Sequence, residues 1–231
     1  MRSAGSAIKF KVSLKSGLSS DFNSGFTLIE LLIGVALFAI LIALAGPGFS
    51  ETVRNSRIRG QAETIAMGLQ LARSEAIRSN ANTVFAFTAA TPAASVTVSG
   101  VVPPVTPADA GANWVIYRQN NGLATPAWEL VDSRLSQEAS NITQSASTSA
   151  VTGTGAILFD SVGQAQFIDS SGTRTAIGSV APFTVLPTAG ESQCRHITAG
   201  KAVCLRVEVT AGGSTRMCDP SVSAPDTRAC R

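Results

Sequence analysis

The sequence predicts an α+β fold: one long N-terminal helix, its first half membrane-spanning and its second half amphipathic, packed on an antiparallel β domain with a disulfide-stapled C-terminal lobe. Three observations predict it. Residues 26–46 form an apolar run with a single charge. Residues 49–80 repeat their apolar positions at helical spacing. Beyond residue 82 the chain changes to short β-type runs separated by Gly, Pro, Ser and Thr, and all four cysteines fall within 194–231.

A chain of 231 residues allows one good-sized domain with an appendage. Its 45% apolar and 14% charged residues, with a mean hydropathy of +0.24, leave a lean surface for a soluble protein and direct attention to a membrane segment. The formal charge of +3 belongs to the first 25 residues, where Arg2, Lys9, Lys11 and Lys15 face only Asp21. The rest of the chain holds equal numbers of acids and bases, so overall charge gives no argument for nucleic acid. Residues 194–231 are the one local basic stretch of note.

The run FTLIELLIGVALFAILIALAG (26–46) spans about 31 Å as a helix, enough for a hydrocarbon core. The preceding basic stretch is the side kept in the cytoplasm. A secretory signal peptide is the plain alternative, and ALAG at 43–46 could serve as its cleavage site. The run is long for that role, and Glu30 sits in its first turns. A carboxylate deep in a bilayer costs ~2.5–3.5 kcal/mol on insertion scales, so it needs a partner.

The segment SGFTLIE (24–30) resembles the type IV prepilin motif, the class III signal shared by pilins and type II secretion pseudopilins. The resemblance implies that a prepilin peptidase cuts between Gly25 and Phe26 and that Phe26 is N-methylated. The new α-amino group then lies one turn from Glu30, and Glu30 of one subunit can pair with the amine of a neighbour during assembly. Pro47 falls where pilins commonly carry a helix-bending proline; it lacks a backbone donor and disfavours helix at Gly46, so a kink or local melt is expected there. The type implies a single-pass inner-membrane protein with its globular domain in the periplasm.

From Phe49 to about Asn80, the residues Phe49, Val53, Ile58, Ala62, Ile65, Leu69, Ala72 and Ala76 recur mainly at three and four residues. Arg54, Arg57, Glu63, Arg73 and Arg78 occupy mostly other faces and read as a solvated surface. Asn80-Ala81-Asn82 gives a polar stop. The segment LQLARSEAIRSN (69–80) resembles the end of the first helix in the GspH/FimT family of minor pseudopilins and minor pilins. That resemblance implies a structural filament subunit of a type IV pilus or a type II secretion pseudopilus, not an enzyme, with no cofactor. Its implied partners are other pilins or pseudopilins through the N-terminal helix, the prepilin peptidase and an inner-membrane assembly platform.

The domain division follows: leader 1–25, transmembrane and polymerisation helix 26–46, amphipathic continuation 47–80, β-rich domain 81–193 and cysteine-containing lobe 194–231. Strands are expected at 83–88, 113–118, 127–131, 156–160, 165–169, 182–186 and 204–209. Residues 89–112 and 132–155 are low-complexity stretches longer than ordinary loops, read as either surface excursions or poorly ordered segments, and no function is assigned to them. FDSVGQAQF (159–167) is similar to a strand–turn–strand of the same family, with Gly163 at the turn.

Cys194, Cys204, Cys218 and Cys230 read as two disulfides in an exported lobe rather than a zinc site, because no C-x2-4-C spacing occurs. The C-D-P segment followed by a closing cysteine resembles the C-terminus of FimT-type minor pilins. Cys218–Cys230, closing a short proline-containing loop, is the preferred pair, with Cys194–Cys204 joining flanking strands; three pairings are open to sequence alone. Some FimT-type pilins bind DNA through a C-terminal G-R-x-R segment. The matching positions here are Gly213-Ser214-Thr215-Arg216, which keep one arginine of the two. Arg195, Lys201, Arg206, Arg228 and Arg231 could join Arg216 in a phosphate-contacting patch. The bland reading is that these cations pair with Glu208, Asp219 and Asp226. With one histidine and no G-x-S-x-G, P-loop or G-x-G-x-x-G, enzymatic readings lack their parts.

Overall fold

The structure, a computed structural model, describes residues 26–88, 95–97, 110–111, 113–120, 122, 127–135, 142–146, 156–169, 171–187, 194–196 and 200–231. The leader 1–25, including Gly25, lies outside the described residues, as do most of the two low-complexity stretches. The chain divides into two units, Met1–Ala45 and Gly46–Arg231.

Helix α1 covers Leu28–Ser79. Thr27 caps its start: the Thr27 hydroxyl accepts from the Glu30 amide at 3.3 Å, and the Thr27 carbonyl accepts from the Leu31 amide. Asn80 ends it in the left-handed region, with φ 50°. The amides of Asn80 and Ala81 then return to the carbonyls of Ile77 and Ala76, the paired bonds of a Schellman cap. Helical backbone runs through Pro47, so the expected local melt does not occur. A proline costs the helix one hydrogen bond there, and helical turns on both sides hold the remainder.

In the first unit, apolar side chains from Phe26 to Ile42 are more than half exposed, Phe26 at 83%. Among the described residues no helix is long and apolar enough to cross a membrane. The described apolar side chains stop at Ile42, short of the full run 26–46, because the side chains of 43–49 lie outside the described residues.

In the second unit the helix serves a β domain. Strands β1 (Thr83–Thr88), β2 (Ser95–Thr97), β3 (Ala110–Gly111), β4 (Asn113–Asn120), β5 (Ala127–Arg134), β6 (Ile142–Ala146), β7 (Ala156–Phe159), β8 (Ala165–Ile168), β9 (Arg174–Ala176), β10 (Val180–Pro187), β11 (Leu205–Thr210) and β12 (Thr215–Cys218) form two antiparallel sheets. Their orders are β2-β5-β4-β1-β7-β8-β9 and β12-β11-β10-β6-β3. All seven expected strands are present. The low-complexity stretches also hold β2, β3 and β6, three strands beyond those expected from the sequence.

Period-two alternation gives β1 two buried faces. Phe85 and Phe87 join one core with Ile58, Ala62, Ile65, Leu69, Ala72 and Ala76 of the helix and with Phe183, Val207 and Val209 of the smaller sheet. Val84 and Ala86 join a second cluster with Val115, Tyr117, Trp128 and Leu158. Aromatic edges tie the sheets: the Phe85 and Phe183 rings lie 6.0 Å apart, and Phe87 and Phe183 lie 5.4 Å apart.

Helix and sheet approach most closely at Gly68, where a Cβ would come within 2.9 Å of a Phe85 ring carbon and 3.3 Å of Trp114. Both rings are buried and packed on each other at 5.6 Å, so neither can yield easily. Gly68→Ala should therefore destabilise the domain by about 1–3 kcal/mol. Gly60→Ala, on the same helix with nothing within 4 Å, should stabilise it by up to about 1 kcal/mol through helix propensity. Urea unfolding of the two variants should give shifts of opposite sign.

Candidate functional site

The N-terminal turn is the first candidate. Thr27 and Glu30 occupy the cap and third positions of α1, a T-x-x-E arrangement that places the carboxylate where the helix dipole favours an anion. Glu30 and Phe26 are both exposed. The cap was readable from the sequence as T-x-x-E ahead of an apolar run, but the acid had been singled out for its cost in lipid.

At the other end of α1, an ionic latch holds the helix to the larger sheet. Glu75, only 6% exposed, accepts from Arg78 on its own helix and from Arg118 of β4, both at 2.8 Å. Arg118 also binds Glu129 of β5, whose second oxygen accepts from Asn120 at 2.7 Å. Hydrogen bonds to Glu129 and then Glu75 raise the Arg118 guanidinium above its ordinary value. Asn120 first, and Arg118 second, lower the Glu129 carboxyl. Sequence reading missed this latch because Glu75 and Arg118 are far apart in the chain. It also took Arg73 and Arg78 as solvated; Arg78 instead binds Glu75, and Arg73 Nε donates to the Gly163 carbonyl at 3.1 Å.

That carbonyl belongs to the β7–β8 turn, where Gly163 has φ 82° as expected for the turn-maker. The β11–β12 turn lies against it: Ala165 donates to the Ala211 carbonyl at 2.8 Å, and a Cβ on Gly213 would come 2.2 Å from the Gly163 oxygen. Gly213, the first residue of the segment compared with G-R-x-R, is thus fixed by packing between two turns.

The lobe carries the disulfides Cys194–Cys204 and Cys218–Cys230, with Cα separations of 5.5 and 5.1 Å. Cys194 does not join a strand as expected; it sits in an isolated bridge to Ala202. Helix α1 reaches this lobe through Asn55, whose side-chain oxygen accepts from the Val203 amide at 3.1 Å. Glu208, Cys218 and Cys230 place ligand-type atoms within 4.8 Å of one another, but both sulfurs are consumed by one disulfide, so the trio does not suit a metal.

The six cations proposed for phosphate contact do not form one free patch. Arg216 donates to buried Glu208 at 3.0 Å and to the Ala229 carbonyl, while Glu208 also accepts from the Arg231 amide. Arg195 faces Asp219 at 3.5 Å, and Arg228 clasps Asp226 at 2.8 Å. Arg206 has its Nε buried. Lys201 and Arg231 are exposed. The three acids named as the bland alternative are the observed partners.

An exposed apolar helix start with an acid in its first turn, leading into a disulfide-closed β domain, defines a pilin-like subunit. The chain belongs to the family of type II transport protein GspH, which matches residues 61–213, and residues 22–46 match the prokaryotic N-terminal methylation motif. No curated protein and no solved structure matches the chain. It is a GspH/FimT-type minor pilin of the type II secretion and type IV pilin-like class; such proteins are structural subunits, and the prepilin motif marks an inner-membrane-anchored pilin.

Two outcomes follow from the ion pairs. Glu75→Gln leaves Arg118 half-paired beside a buried amide and should cost about 1.5–3 kcal/mol in chemical denaturation. Asp226 is held down to about 2 by the Arg228 side chain and then its amide; Glu129 and Asp169 are shifted the same way. A depressed carboxylate stabilises the fold above its ordinary value and loses that contribution as pH falls through the folded one. Thermal midpoints should therefore be flat from about pH 7 to 5 and fall below about pH 4, with Asp226→Asn reducing the drop.

Proposed function

We propose that this chain is a minor subunit of a type IV pilus or type II secretion pseudopilus, incorporated through its N-terminal helix. The observation carrying this reading is the exposed apolar surface from Phe26 to Ile42, with Glu30 one turn in, directly at the methylation motif. Such a surface requires lipid before assembly and neighbouring helices afterwards.

Cleavage between Gly25 and Phe26, with methylation of Phe26, frees an amine for Glu30 of an adjacent subunit. Before assembly the helix spans the inner membrane once through 26–46, continues amphipathically from 47 to 80, and leaves the β domain and cysteine lobe in the periplasm. Other pilins, the prepilin peptidase and the assembly platform are the partners. Bending at Pro47 belongs to the same proposal. The disulfide-closed C-D-P tail favours the pilus over the secretion pseudopilus. DNA capture is the weaker reading, since Arg195, Arg216 and Arg228 already face acids.

Mass spectrometry of the mature protein should find N-methylated Phe26 at its start. Glu30→Ala should still be cleaved but should be lost from sheared filaments. A mature start near Gly46, or wild-type incorporation of the Glu30→Ala chain, would overturn the proposal.

A further inference from the structure

We infer that a cavity between α1 and the β11–β12 turn is a receptor for a single acidic side chain presented by a partner protein. The cavity has a volume of about 300 Å³ and is lined by Gln70, Arg73, Ser74 and Ile77 of the helix, by Gly213 and Ser214 of the turn, and by Thr215 at the start of β12. Arg73 is its only charged lining residue, and no carboxylate lines it. The Nε of Arg73 is engaged by the Gly163 carbonyl, while among the described residues its two terminal nitrogens have no acceptor. Thr215 Oγ1 is buried and also has no partner.

The cavity is built rather than incidental. Gly213, at φ 74°, lets the turn lie against the arginine: a Cβ there would come 2.8 Å from Arg73 Nε and 2.2 Å from the Gly163 oxygen. The Nε hydrogen bond holds the guanidinium plane, so its two terminal nitrogens form a preset fork. A fork of that kind matches the two oxygens of a carboxylate, and the unpartnered hydroxyl supplies a further donor. One cation neutralises one carboxylate, whereas a nucleic-acid strand calls for a track of cations. The recess admits a side chain of Asp or Glu size. The larger groove between α1 and the lobe, about 630 Å³, lacks this signature, because its charges at Arg59, Asp219 and Arg228 are already paired with Glu63, Arg195 and Asp226.

The inference stands on this cavity alone and does not depend on how the N-terminal helix assembles. Its test is a titration of the full chain in detergent, followed by the guanidinium resonances of Arg73. The probes are the blocked tripeptide Ac-Gly-Asp-Gly-NH2, its Asn counterpart and inorganic phosphate. The Asp peptide should shift the Arg73 signals saturably in the millimolar range expected of one charge-assisted pair, and the Asn peptide should not. Arg73→Gln, followed through the backbone amides of Gly213 and Ser214 that shift in the parent, should abolish the response. Because Arg73 also braces the Gly163 turn, Thr215→Val is the second variant: it should melt no lower than the parent, yet bind the Asp peptide at least about threefold more weakly. Equal responses to Asp and Asn peptides, a stronger response to phosphate, or unchanged binding by Thr215→Val would overturn the inference.

Discussion

One helix has to satisfy two environments, and the rest of the structure is arranged around that demand. From Leu28 to Ile42 its side chains are, but for Glu30, apolar and exposed on every side, as a segment needs to be when lipid or other helices are its surroundings. From Ile58 to Ala76 it buries a stripe, completely at Ile58, Ala62, Ile65, Leu69, Ala72 and Ala76. Each fully buried Ile or Leu contributes about 1.5–3 kcal/mol, so this stripe is a large part of what holds the β domain together. The stripe lies in the same core as residues of both sheets. Removing the helix would therefore open both sheets rather than merely detach an anchor.

Small residues set how close that packing is. Three alanines and Gly68 on the buried stripe leave room for Phe85, Phe87 and Trp114, large rings on the facing strands. Beside the last alanine, Ala76, the helix adds polar fastening. Glu75 binds Arg118 across to β4, and Asn80 turns the chain sharply so that β1 can begin at Thr83. A buried carboxylate is costly alone, and two arginines with an asparagine-supported Glu129 make the arrangement tolerable. A latch of this kind fixes the angle at which the strand leaves the helix, which apolar packing alone specifies only loosely.

Legibility in the sequence followed the kind of signal each element carries. TVFAFT was readable as β1 because apolar and β-favouring residues crowd into it. The helix and its buried stripe were readable because one face repeats over many turns. Strands β2, β3 and β6 lie in Ala-, Ser- and Thr-rich stretches, and their pairing is what defines them: β6 is held by its register with Phe183–Pro187 of β10. Such pairing leaves little trace in local composition. The N-terminal motif and the cysteine lobe were plain for the opposite reason, since their residue types are rare enough to stand out singly. Arg73 shows the limit most clearly: on a helical wheel it is one more solvated arginine, and only the arrival of Gly163 ninety residues later gives it a partner.

The terminal lobe shows why counting charges misleads about binding. Residues 194–231 are locally basic, yet Arg195, Arg216 and Arg228 are each held by an acid and Arg206 has its Nε buried, so the exposed excess comes down to Lys201 and Arg231. Glu208 is nearly fully buried and also receives the amide of Arg231, so Arg216 does structural duty by closing the tail over β11. The Cys218–Cys230 bridge ties the same tail to the end of β12. With three of the six cations committed to holding the lobe closed, its rigidity more than its charge is the property the structure supplies. That rigidity keeps the tail closed over β11, with the disulfide and the Arg216–Ala229 hydrogen bond acting on the same segment.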